Sequence, residues 1–132
     1  MPKPHALIVE DELLVALHLQ DLLMEQGYGS CSFAAVAIQA IEQCRLHPPD
    51  LITMDVGLIH GDGVEAARAL QAICRGTPII YITGSPEAVR NEPGAVVLEK
   101  PITAYDLALA LKEVGGPSSR EFSRQASAST VI

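Results

Sequence analysis

The sequence predicts an α/β fold, a doubly wound parallel sheet with helices on both faces. Short aliphatic runs alternate with helix-length segments five times along the chain. Aromatic residues make up only 4% and there is no Trp, so the core must be built from Leu, Ile, Val and Ala, which suits helices laid on an aliphatic sheet. Four of the runs end in residues capable of chemistry: Leu7-Ile8-Val9 in Glu10-Asp11, Leu51-Ile52-Thr53-Met54 in Asp55, Ile79-Ile80-Tyr81-Ile82 in Thr83, and Val96-Val97-Leu98-Glu99 in Lys100. Those ends meet only at one edge of a parallel sheet.

The elements follow in order. Ala6 to Val9 is a first strand, and Glu12 to Gln26 is a Leu-rich helix stopped by Gly27, which accepts a left-handed conformation. Gly29 to Phe33 is small and polar for a strand, so it is placed at an edge. Ala35 to Arg45 repeats Val36, Ala40, Ile41 and Cys44 at helical spacing. After Pro48-Pro49, Asp50 to Met54 is the third strand. Asp62 is placed to cap a helix from Gly63 to Ile73, with Val64, Ala67, Leu70 and Ile73 or Cys74 facing inward. Gly76-Thr77-Pro78 ends it. Ile79 to Ile82 is the fourth strand, and Pro86 opens only a short helix before Asn91-Glu92-Pro93-Gly94. Ala95 to Leu98 is the fifth strand. Thr103 caps a last helix to Val114, with Leu107, Leu111 and Val114 inward, and Gly115-Gly116-Pro117 stops it.

A chain of 132 residues that is 48% hydrophobic fits one domain, assigned to residues 1–116. Residues 117–132, rich in Ser, Ala and Arg and without an apolar period, are expected to form a disordered tail. The net charge of −7 argues against direct binding of nucleic acid, because phosphates are repelled. The cysteines, Cys31, Cys44 and Cys74, are odd in number and lack metal or CxxC spacing. They are read as small core or surface thiols in a reducing compartment. There is no secretory core and no apolar run long enough to cross a bilayer, so a cytoplasmic protein is expected.

At the shared edge, Glu10, Asp11 and Asp55 repel one another unless a cation neutralises them. A hard divalent ion answers, Mg²⁺ with Mn²⁺ as a substitute, held by these three carboxylates and the backbone carbonyl of Gly57. Asp55 can then attack phosphorus and become an aspartyl phosphate. Lys100 offers a cation to one phosphoryl oxygen and the Thr83 hydroxyl a hydrogen bond to another.

This set resembles the receiver domain of two-component response regulators: an acid pair after strand 1, Asp after strand 3, Thr after strand 4 and Lys-Pro after strand 5, over residues 5–115. The resemblance implies a flavodoxin-like (βα)5 fold of strand order 2-1-3-4-5. It also implies that Asp55 accepts phosphate from the phosphohistidine of a sensor histidine kinase, with Mg²⁺ held directly by Asp11 and Asp55 and through water by Glu10, and that Lys100-Pro101 is often cis. The Ile82-to-Glu87 stretch resembles general stress response receivers served by HWE and HisKA2 kinases. Two departures stand out. Val97 occupies the position of the usual aromatic switch, and only 17 positions (100 − 83) separate Thr83 from Lys100, so the helix between strands 4 and 5 should be reduced.

Leu13, Leu14 and Leu17 add a second apolar stripe to the first helix, read either as extra burial under loops or as a surface that docks on a helical partner. His5, His18 and His47 show no ligand spacing, and His60, five residues beyond Asp55, is read as a solvated loop histidine in preference to a contact for the phosphoryl donor. With no effector segment in view, a single-domain regulator is expected, as a monomer or weak homodimer. It would signal to a downstream regulatory protein or drain phosphate from a shared kinase. The alternatives are a receiver-like adaptor that is not phosphorylated and a small phosphatase of the haloacid dehalogenase type. The latter resemblance calls for an acid two residues after the nucleophile, where Gly57 stands.

Overall fold

The computed structural model describes residues 2–58, 63–89, 92 and 94–115. The expected cap Asp62, the loop residue His60 and the tail at 117–132 lie outside them. The chain runs through β1 (His5–Val9), α1 (Leu13–Glu25), β2 (Ser30–Ala34), α2 (Ala37–Leu46), β3 (Leu51–Asp55), α3 (Gly63–Ile73), β4 (Ile79–Thr83), a 3₁₀ turn (Pro86–Val89), β5 (Val96–Glu99) and α4 (Ala104–Val114). Every strand pairing is parallel, and the sheet order is β2-β1-β3-β4-β5.

The central strands β1, β3 and β4 are buried at every position. Being aliphatic on both faces, they require a helical layer on each side. Alternate residues divide between two cores. Ala6, Ile8, Leu51, Ile80 and Ile82 face α1 and α4, meeting Leu19, Leu23, Leu107 and Leu111. Leu7, Val9, Ile52, Met54 and Tyr81 face α2 and α3, meeting Ala40, Cys44, Ala67 and Leu70. Each fully buried aliphatic side chain contributes about 1.5–3 kcal/mol relative to exposure. Such positions occur on every central strand, so the layers, and with them the strand order, are strongly specified.

The edges behave differently. In β2 only Ala34 is buried, which matches the small polar composition of Ser30 to Phe33. Among the described residues between β4 and β5, the helical structure is the 3₁₀ turn Pro86–Val89, which fits the short Thr83–Lys100 interval.

Boundaries move by a residue or two from the sequence reading, for visible reasons. The strands β3, β4 and β5 run one residue further, because the ladder continues through the pairs Asp55↔Ile82 and Thr83↔Glu99. Helix α2 starts at Ala37 rather than Ala35. The Ala35 N–H is already satisfied by Gln39 Oε1 at 2.8 Å, and Val36 is extended at φ −140°. Ile73 turns outward at 38% exposure, whereas Cys74 packs against the core. Thr103 caps α4 as expected, its Oγ1 accepting from Asp106 N at 3.1 Å, and Gly115 closes the helix at φ 68°.

At the opposite edge from the strand ends that carry the acids, His5 joins three elements. Its ring nitrogens lie 2.7 and 2.8 Å from the hydroxyls of Ser30 and Ser32. Its ring stacks on His47 with centroids 3.6 Å apart. Burial, and then the neighbouring His47, hold its pKa below the usual value. This is a structural role for a buried histidine.

Gly63 begins α3 against the backbone of β3. A Cβ there would lie 2.3 Å from Asp55 O and 2.6 Å from Val56 Cα. Backbone cannot yield as a flexible side chain does. Gly63→Ala is therefore expected to destabilise the fold by about 3 kcal/mol, the range of severe overpacking. Urea unfolding measures this, and a change within error of zero would contradict the close approach.

Candidate functional site

The parallel ladder carries the reactive residues to one edge. Glu10 N donates to Ala34 O at 2.9 Å, Val56 N to Ile82 O at 3.1 Å and Lys100 N to Thr83 O at 2.9 Å, so each strand is pinned at its carboxyl end. The Lys100-Pro101 peptide is cis. Asp55, Thr83 and Glu10 are buried, at 6%, 4% and 5% exposure.

Lys100 is the centre of the charge arrangement. Its Nζ lies 3.0 Å from Glu10 Oε1 and 3.6 Å from Asp55 Oδ1. Glu10 Oε2 accepts from Glu12 N at 3.1 Å, and Asp55 Oδ1 accepts from Gly57 N at 3.0 Å. Glu10 Oε1 is buried and has the Lys100 ion pair but no hydrogen bond of good geometry. Burial pushes the Glu10 carboxyl up to about 7, and the nearby Asp55 charge adds to this. The Glu12 N–H and Lys100 oppose the rise. Burial acts against the charge on Lys100, but Glu10, Asp55 and Glu12 outweigh it and hold the ammonium above its usual range.

Glu10, Asp11 and Asp55 each present one carboxylate oxygen, all within 4.8 Å of one another. Three hard anionic oxygens, one of them on a carboxyl that burial drives toward protonation, fit a small divalent cation. Asp11 and Asp55 line a cavity of about 390 Å³ with Gly57, Thr83, Ser85 and Lys100. Glu10 sits behind this wall and reaches the cavity through Lys100. Thr83 Oγ1 accepts from Ser85 N at 2.9 Å, which leaves its hydroxyl hydrogen for a donor bond.

All the strand-end residues named from the sequence thus converge. Glu12, Gly84 and Ala88 also line the cavity and were not singled out. Glu12 could have been found as the third acid of the Glu10-Asp11-Glu12 run, but Ala88 carries no chemical signal and reaches the site only because the 3₁₀ turn folds over it. Leu13, Leu14 and Leu17 are 69%, 81% and 41% exposed, so loops do not cover them. Next to them Leu14, Val15, His18, Lys100, Pro101 and Ile102 line a depression of about 410 Å³, and Lys100 belongs to both hollows. Among the described residues, no helix is long and apolar enough to cross a membrane.

Comparison with known proteins places this geometry in context. Residues 6–112 match the response regulator receiver domain family. The transcriptional regulatory protein PdtaR of Mycobacterium tuberculosis is 35% identical over 111 residues, covering 80% of this chain and 54% of PdtaR, so the chain spans about half of that relative's length. The polar-differentiation response regulator DivK of Brucella anthropi is 32% identical over 110 residues, covering 78% of this chain and 88% of DivK. In structure, the receiver domain of the PhyR response regulator of Erythrobacter litoralis superposes with a TM-score of 0.78 at 26% identity, covering 86% of this chain and 91% of that one.

The sign of the Glu10 shift has a measurable consequence. A carboxyl whose folded pKa is raised from 4.5 to about 7 contributes stability that is present below 4.5 and lost as pH rises through 7. With divalent ions chelated, unfolding free energy is expected to fall by on the order of 2 kcal/mol across that window. Glu10→Gln should flatten the fall. Urea titrations at several pH values check both, and an unchanged slope in the variant would assign the effect elsewhere.

Proposed function

Because this chain belongs to the response regulator receiver family, and so to the proteins of two-component phosphorelays, we propose that Asp55 is its phosphoacceptor. One observation carries the reading: a buried carboxylate shares a cavity with a lysine ammonium, a threonine hydroxyl and Asp11, with Glu10 directly behind.

Asp11, Asp55 and the Gly57 carbonyl would hold a Mg²⁺ or Mn²⁺ ion, with Glu10 supporting from behind. When bound, such an ion neutralises the carboxylates and one phosphoryl oxygen. The chain's own residues do the rest. A carboxylate oxygen of Asp55 forms the bond to phosphorus as the bond to the donor's histidine nitrogen breaks, and the nitrogen keeps the electron pair. Lys100 exchanges part of its contact with Glu10 and Asp55 for a phosphoryl oxygen. The Thr83 hydroxyl, oriented by its bond from Ser85 N, donates to another. Gly57 stands where a dehalogenase-type phosphatase would need its second acid, and its N–H bonds Asp55 instead. That favours a phosphorylated signalling protein over an enzyme of many turnovers.

The chain is proposed to act in the cytoplasm with a sensor histidine kinase as its donor, of the HWE or HisKA2 type by the resemblance around Ile82 to Glu87. The exposed stripe Leu13, Leu14 and Leu17 is the proposed docking surface, because it borders a hollow that Lys100 shares with the phosphorylation cavity. For the output, β5 offers Val97 opposite Tyr81 of β4. A rotating aromatic at position 97 cannot be the readout, so the new charge of about −1.5 to −2 acts through the loops around the cavity. Signalling to a regulatory protein and draining phosphate from a shared kinase both remain consistent with this site.

Asp55→Asn is expected to abolish Mg²⁺-dependent labelling by a phosphorylated kinase and by a small phosphodonor, while the wild type reaches about one phosphate per chain. Turnover of many phosphate esters would instead favour the phosphatase, and absence of wild-type labelling the adaptor. Leu14→Asp or Leu17→Asp should slow transfer from the kinase about tenfold or more, the loss of roughly 1.4 kcal/mol of docking, with labelling by the small donor unchanged. Equal loss in both assays would reject docking through α1.

A further inference from the structure

Cys44 and Cys74 are 30 positions apart (74 − 44), and nothing in their spacing marks them as a pair. The fold brings them together. Cys44 lies near the end of α2 and is buried at 2% exposure. Cys74 directly follows α3, tied by its N–H to Leu70 O at 2.7 Å, and packs half-buried against the same core layer. The two side chains are neighbours in that one apolar layer. Both line a cavity of about 410 Å³ together with Arg45, Ile73, Arg75 and Thr77. We propose that Cys44 and Cys74 are a reversible redox couple, in which a hydroperoxide oxidises Cys74 and Cys44 closes an intramolecular disulfide between α2 and the end of α3. This departs from the expectation of inert thiols and is independent of phosphorylation at Asp55.

The two sulfurs are suited to different parts. Burial, then contact with Cys74, pushes the Cys44 thiol up to about 12, which makes it a poor first nucleophile. Cys74, unlike Cys44, has solvent access, and it opens on the shared cavity beside Arg45 and Arg75. In the first step the Cys74 thiolate attacks the peroxide, the O–O bond breaks, an S–O bond forms and the departing oxygen takes a proton to leave as alcohol or water. In the second, Cys44 attacks the sulfenyl sulfur, an S–S bond forms, and the hydroxyl leaves with the Cys44 proton as water. The two sulfurs together supply the two electrons that reduce the peroxide. Cys31 is an internal control. It lies on β2 against the other core layer, and burial pushes its thiol up to about 11.

The test treats the full folded chain with hydrogen peroxide, quenches, unfolds it in alkylating reagent and maps the peptides. The expected result is a fall from three alkylatable thiols to one, loss of the mass of two hydrogens, a peptide linking Cys44 to Cys74, and full reversal by a dithiol. The oxidised protein should melt about 10 °C higher, as a cross-link closing a loop of this length implies. Cys31→Ser should behave as wild type. Cys74→Ser should prevent the link and leave Cys44 alkylatable, and in Cys44→Ala a sulfenic acid should accumulate on Cys74, where a dimedone probe traps it. Conversion of Cys74 to sulfinic acid with Cys44 untouched, a disulfide between two chains through Cys31, or retention of all three thiols would each overturn the couple.

Discussion

Parallel strand register is the constraint on which everything else rests. Hydrogen bonds from Glu10 to Ala34, Val56 to Ile82 and Lys100 to Thr83 extend the ladder beyond the apolar runs by one residue. A slip of one position on any central strand would exchange its two faces, placing residues shaped for one helical layer against the other. The cores of Ile8, Leu51 and Ile82 on one side and Leu7, Ile52 and Met54 on the other therefore hold the acids in place. Positioning of the site and packing of the core are a single problem with one solution.

Within that frame Glu10, Asp11 and Asp55 bring three carboxylate oxygens close together, and Lys100 pairs with two of these acids, Glu10 and Asp55. Lys100 is shared unequally between Glu10 and Asp55, at 3.0 and 3.6 Å. A divalent cation there would relieve the crowding of negative charge, and phosphorylation of Asp55, as proposed above, would give Lys100 a further anionic partner.

Much of this was legible in the sequence, for a physical reason. Central strands buried on both faces must be continuous apolar runs, and their ends show as abrupt changes to Glu10, Asp55, Thr83 and Lys100. Thr103 and Gly115 likewise announce the ends of α4 through capping chemistry. What was not legible depends on approach between distant segments. Gly63 reads as an ordinary helix start until the Asp55 carbonyl is seen beside it. Ala88 has no chemistry of its own, and the contact of Cys44 with Cys74 arises only because α2 and α3 cover the same face. The end of α3 at Ile73 was readable, but periodicity left open whether Ile73 or Cys74 faces inward, and the structure turns Cys74 to the core.

The absence of a side chain at Gly63 makes the junction between β3 and α3 a contact of backbone on backbone. In mechanical terms, this is a pivot without padding. Any movement of the Asp55 main chain would find no soft side chain to absorb it and would pass directly to the start of α3. At the far end of that helix is Cys74, which rests on α2. A covalent tie there would fix the lever at the end opposite its pivot, and α3 would then be held at both of its ends.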